Sequence, residues 1–333
     1  MIDWTLARRI GGYVAGAPEG GVALAGDLDA IALDARERIE RYTGMTPQRA
    51  IPPPQAVDRR AWLEINHTGM KAMLDPLSAK LDKPGITGAL GGLLVGAEIG
   101  ALTGYLAQRV LGQYELVLLD ADSPERLLMV APNLREAAKR LDVDEDDLVT
   151  WVCVHEVTHA VQFTAVPWLR DHLAGHLRQL LESVDVKFDP ASLLKLPSLD
   201  RLKEGGLVTL VAGPERMAII DSVQATMAVV EGHAEHVMDA VGREVLPSLD
   251  ELRAALNRRR REKSPALVLF EKLLGLELKM RQYELGRVFC DAVVDAGGIQ
   301  TLNRVWSGPG ALPTLGEIEA PELWLERTTP RAA

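Results

Sequence analysis

Cysteine is nearly absent: Cys153 and Cys290 are the only two in 333 residues. They cannot form a disulfide framework, so the chain is expected in a reducing compartment, by default the cytoplasm. A basic surplus is missing too. Lys and Arg number 37 against 47 Asp and Glu, a formal net charge of -10, which argues against general nucleic-acid binding. The opening stretch MIDWTLARRIGGYVAG lacks an apolar h-region. Asp3, Arg8 and Arg9 interrupt it, so it does not read as a signal peptide. No internal repeat beyond a glycine period and no clear linker stand out. One domain over 1–333 is expected, with an N-terminal helical part (1–110) and a second part (111–333). The length suffices for a substantial core.

Histidine is also scarce, at seven residues, yet two of the seven stand four apart in VCVHEVTHAVQF. On a helix, residues i and i+4 share a face, so His155 and His159 can offer two nitrogens to one metal ion. Glu156 lies about 100° round the helix. It is poorly placed as a ligand and well placed as a general base for water at the metal. The other reading, a core helix with two satisfied histidines, has to explain this spacing in a histidine-poor chain.

A catalytic zinc takes three protein ligands and keeps one position open. The stretch MAVVEGHAEHVMD, 227–239, offers two helical faces. Glu231, Glu235 and Asp239 fall within about 80° of one another, and His233 and His236 lie together on another side. Glu231 is the favoured third ligand, with Glu235 behind it to orient a coordinated imidazole. His233 and His236 remain the alternatives. Gly232 would permit a close helix approach.

Residues 85–108 form a nearly uncharged run, long enough to span a bilayer. Glycines at 88, 92, 96, 100 and 104 recur every four residues. On a helix they form one ridge that admits a second helix at short range. Glu98 would be costly in lipid. A tight crossing in a soluble core is favoured, and membrane association stays open.

Elsewhere, 27–44 and 58–81 read as helices separated by the prolines of IPPP. The stretch 113–132 reads as a strand pair about the turn-rich DADSPE. Helices follow at 133–141, through the HEVTH motif, at 168–184, about 214–243 and about 265–295. The proline-rich tail after 306 reads as irregular surface chain. Cys153 should be core, and the basic run 257–263 a solvated face.

HEVTH followed by Glu-Gly-His-Ala-Glu resembles the gluzincin-type zincin metallopeptidases. Seven stretches extend the resemblance over most of the chain: DWTLA (3–7), LGQYELVL (111–118), VAPNL (130–134), HEVTHAVQF (155–163), VEGHAEHVMD (230–239), LGLELKMRQYELG (274–286) and LPTLGEIEAPELWLER (312–327). Together they are similar to an actinobacterial and chloroflexal zincin-like family, formerly a domain of unknown function. Its members are labelled hydrolases or cofactor-biosynthesis-associated proteins. The resemblance implies a zinc-dependent hydrolase and no substrate. The interval of 71 residues between His159 and Glu231 departs from familiar gluzincins. Such enzymes use Tyr or His to stabilise an oxyanion, a role open to Tyr283. The expected fold is mainly α (α+β), a zincin-like helical core with a small sheet upstream of the motif helix. The expected activity is zinc-dependent hydrolysis of a peptide or protein substrate. The rival reading is a non-catalytic zincin-like scaffold.

Overall fold

The computed structural model describes residues 2–16, 21–24, 26–81, 86–120, 122–183, 214–261 and 276–329, without side chains at 75–81, 86–89, 183, 214, 257–261 and 276–283. The fold is mainly helical with one small sheet. The described elements are α1 (Trp4–Ala15), α2 (Leu28–Thr43), β1 (Pro54–Val57), α3 (Arg59–Leu81), α4 (Ile86–Ala107), β2 (Gly112–Glu115) and β3 (Arg126–Val130). Then come α5 (Ala131–Leu141), α6 (Glu145–Ala165), α7 (Pro167–Ser183), α8 (Pro214–Val245), α9 (Leu249–Arg261) and α10 (Leu276–Gly297). Short helical turns follow to Thr328.

The sheet has the order β1-β3-β2. The expected strand pair is β2 and β3, antiparallel, with Tyr114 opposite Leu127. β1 was not expected, because IPPP reads as a break. It runs parallel to β3, with Val57 opposite Val130. Proline survives there because Pro54 is the first residue of an edge strand, where a missing N–H costs little. Leu127, Leu128, Met129 and Val130 are fully buried, as a central strand covered on both faces requires.

Contacts divide the chain into two compact units. The first holds 1–38, 49–161 and 244–255, and the second 39–48, 162–243 and 256–333. In the first, the glycine ridge meets α1, and the two helices run parallel. A Cβ on Gly96 would strike the Asp3 carbonyl, one on Gly100 the Ala7 carbonyl, and one on Gly104 the Gly11 carbonyl. The close crossing read from the sequence is therefore present, and its partner is the N-terminal helix. The window Leu90–Ala107 is long and apolar enough to cross a membrane, and 39% of it is buried. Leu90, Leu93 and Leu94 are exposed.

The sheet's end is tied down by polar contacts. Asn133 at the start of α5 donates to the carbonyls of Ala107 (2.8 Å) and Val110 (2.7 Å). Its own Oδ1 accepts from Arg59 Nε at 2.6 Å. α5 ends at Asp142, which takes the left-handed conformation (φ 55°). Asp144 then caps α6, accepting from the N–H groups of Asp146 and Asp147, as its acidic cluster suggested.

In the second unit the tail differs from the expected irregular surface chain. Thr314 and Glu317 form a capping box that starts a helix at Leu315–Glu319. A second helix, Pro321–Thr328, follows and buries Trp324 completely. The Trp324 indole N–H donates to the Ala311 carbonyl at 2.7 Å. Proline here starts helices, which a composition-based reading takes for irregularity. The side chains of the basic run 257–263, expected as a solvated face, lie outside the described residues.

Candidate metal centre

α6 is apolar on most of its surface, and Val152, Cys153, Val154, Val157, Val161 and Thr158 are all buried. A helix of this kind is held by packing on several sides. The rigidity serves the pair it carries. His155 and His159 stand one turn apart with ring centroids 4.6 Å apart and planes at 86°. Their Nε2 atoms approach to 3.2 Å. Trp151, a turn earlier, lies nearly parallel to the His155 ring at 6.3 Å.

Two nitrogens on a tetrahedral ion at about 2.0–2.1 Å each would lie about 3.3 Å apart. The observed separation already meets that requirement. A Glu231 carboxylate oxygen completes a group whose ligand atoms all lie within 4.8 Å of one another. Two imidazoles and one carboxylate are a donor set that suits zinc. His155, His159 and Glu231 thus form a group that could hold a metal ion.

The boundary between the two units falls inside α6, after Val161. Gln162, the next residue, is fully buried. Its side-chain amide donates to the Val230 carbonyl (2.9 Å) and to His233 Nδ1 (3.0 Å). One glutamine therefore grips α8 on both sides of Glu231. His233 is fully buried and meets Trp306 edge to face at 5.4 Å. His236 sits between Tyr42 Oη (2.7 Å) and Asp291 Oδ1 (2.6 Å). The two histidines that competed with Glu231 thus have other partners. Gln162 stands in the quoted HEVTHAVQF, but its role was not legible. Gln162 and His233 are 71 positions apart, and nothing local pairs them.

Gly232 makes the close approach expected of it. A Cβ there would run into the backbone of Gly286, and one on Gly286 into that of Ala228. α8 and α10 therefore cross almost backbone to backbone beside Glu231. Glu235, one turn on, faces Arg287 Nη1 at 3.6 Å. Arg287 also binds Asp239 (2.6 Å) and Asp291 (3.4 Å). Tyr283 falls in α10, but its side chain lies outside the described residues.

Glu156 is 7% exposed. Its Oε2 accepts the Tyr114 N–H at 2.7 Å. Gly112 leaves the room it occupies, since a Cβ there would lie 2.8 Å from Glu156 Cγ and 2.6 Å from Val152 Cγ1. The edge strand β2 thus fixes the carboxylate next to the histidine pair. Sequence reasoning missed Gly112 and Tyr114, although a glycine opening a strand is a signal for close backbone approach. Tyr114 itself donates its hydroxyl to Glu125 (2.6 Å), which Arg49 also binds at 2.5 Å. Burial, then Glu125, raises the phenol pKa far above its usual value, so it stays neutral. Cys153 is core as expected. Burial, with Glu156 nearby, pushes its thiol up to about 12, which removes it as a nucleophile.

Fold and site together define a mainly helical protein with a histidine-histidine-glutamate group suited to a metal ion. The chain belongs to the zincin-like metallopeptidase family, which it matches over residues 2–325. It is similar over its whole length to a crystal structure from Chloroflexus aurantiacus described as a "putative hydrolase with a novel fold". The two share 31% identity with 100% of each chain covered and a TM-score of 0.76. No protein of curated function matches the sequence.

Proposed function

We propose that the protein is a zinc-dependent peptidase in which His155, His159 and Glu231 hold the metal and Glu156 is the general base. The single observation that carries this reading is the convergence of three ligand atoms within 4.8 Å, two of them from the helix that also carries Glu156. When bound, the zinc supplies a Lewis acid that polarises a carbonyl and makes water a stronger acid. The remaining work belongs to the chain. Glu156 accepts a proton from the attacking water and later delivers it to the leaving amine. The Tyr114 N–H at Oε2 holds the carboxylate in one orientation through both transfers. Gln162, by gripping Val230 and His233, fixes the turn of α8 that bears Glu231. Glu235 steadies the same turn through Arg287.

A peptide substrate is favoured by the family. β2 is an edge strand, but its Tyr114 N–H is already spent on Glu156. An extended peptide added there would have to pair without that donor.

The test is a paired measurement on wild type and Glu156→Gln. Glutamine can still accept the Tyr114 N–H, so fold and zinc content should be unchanged. Cleavage of a mixed peptide pool should fall about 10²–10⁴-fold, the usual worth of a general base. Loss of zinc in the variant would make Glu156 a ligand. Equal cleavage would remove it as the base. Wild type that binds zinc and cuts nothing would favour a non-catalytic scaffold.

A further inference from the structure

A hollow of about 330 Å³ lies in the first unit, between α1 and α3, lined by Arg8, Arg9, Tyr13, Arg60, Glu64 and His67. Its volume is at the lower end for small-molecule sites, about 300–1,000 Å³. Three arginines line it, in a chain of net charge -10. Arg8, Arg9 and Arg60 are exposed and have no ion-pair partner among the described residues. Elsewhere in the fold, arginines such as Arg38, Arg59, Arg287 and Arg327 are engaged by carboxylates. Gly12 opens the floor, since nothing lies within 4 Å of where its Cβ would be. Tyr13, also in the lining, is 88% exposed, so its ring is open to a ligand. His67, 4% exposed, closes the base.

We propose that this hollow binds a small phosphate monoester. Three planar guanidiniums offer paired N–H donors that match phosphate oxygens bidentately. A dianion also relieves the repulsion among three like charges. The Tyr13 ring suits the flat organic part of the ester. Glu64, the one acid on the rim, accepts from a hydroxyl of that part. The phosphate could belong to a soluble ester or to a lipid headgroup, since both present the same group.

The experiment uses the full-length protein and phenyl phosphate as probe, followed by calorimetry, with phosphatidate-containing vesicles in a parallel sedimentation assay. Wild type should bind phenyl phosphate one to one, and Arg8→Ala with Arg60→Ala should weaken it at least about tenfold per guanidinium lost. An unchanged melting temperature checks that the double variant folds. If it melts early, Arg9→Ala replaces it. Binding should also move the His67 Cε1 proton resonance and raise the titration midpoint of that imidazole, because a dianion favours its charged form. Vesicle binding that depends on the same arginines, without phenyl phosphate binding, assigns the phosphate to a headgroup. No binding of either probe, equal affinity in the arginine variants, or an unmoved His67 signal overturns the proposal. None of these readouts involves the metal centre.

Discussion

At the scale of single residues, Gly112 and His67 show how much depends on one side chain or its lack. Alanine at Gly112 would put its Cβ 2.8 Å from Glu156 Cγ, so the carboxylate must move. Gly112→Ala should retain zinc and lose peptide cleavage about 10²-fold, the cost of misplacing a reacting group by about 1 Å. Metal analysis and cleavage rates on one preparation check this. His67 shows a different dependence. Thr103 Oγ1 donates to the Ile99 carbonyl (2.7 Å), so it accepts from His67 Nε2–H at 2.8 Å. Nδ1 is then an unprotonated nitrogen, buried without a partner. Burial lowers the His67 pKa below its ordinary 6.5, Glu64 raises it and Arg8 lowers it. Trp4 on α1 packs against the ring and carries no charge. Below pH 6.5 the unfolded chain binds a proton that the folded chain refuses. Stability is therefore full above 6.5, falls as pH drops through that value and levels off below the folded pKa. In urea melts at pH 7.5 and 5, His67→Asn should lose less stability than wild type.

At the scale of elements, legibility followed the range of the interaction. His155, Glu156 and His159 are set by one helix, and their arrangement could be read from spacing alone. The glycine period of α4 announced a close crossing for the same reason. The partner helix, α1, was missed although it carries the matching mark: Ala7, Gly11 and Ala15 repeat small residues every four positions and are its buried face. β1 was hidden by its prolines, and Gln162 by its distance from α8. The crossing gives a prediction of sign. In an exposed helix, Gly→Ala stabilises by up to about 1 kcal/mol. Gly91 has nothing near its Cβ position, whereas Gly100 faces the Ala7 carbonyl. Gly91→Ala should therefore raise the melting temperature, and Gly100→Ala should lower it at a cost of about 1–3 kcal/mol. Equal shifts in thermal melts would mean that the ridge is not packed.

At the scale of the whole molecule, the ligands come from helices far apart in sequence, so metal binding and folding are linked. Chelator-treated protein should melt lower than protein given zinc. The gain should be about 4 kcal/mol at a thousandfold excess over Kd. His155→Ala should abolish the gain, whereas Glu156→Gln should keep it. Calorimetric melts on the three proteins, with and without zinc, decide the matter.

The two buried thiols give the chain an internal gauge of its own breathing. Cys153 belongs to the first unit and Cys290 to the second. Both are buried, and both have raised pKa values, mainly through burial. An alkylating reagent reacts with thiolate, so neither can be labelled until its surroundings open. Mass spectrometry resolves the two modified peptides, so one time course yields two labelling rates, each set by how far the surroundings of its own thiol are open. Zinc should slow labelling of Cys153, two residues from His155, at reagent concentrations where reclosing outpaces alkylation.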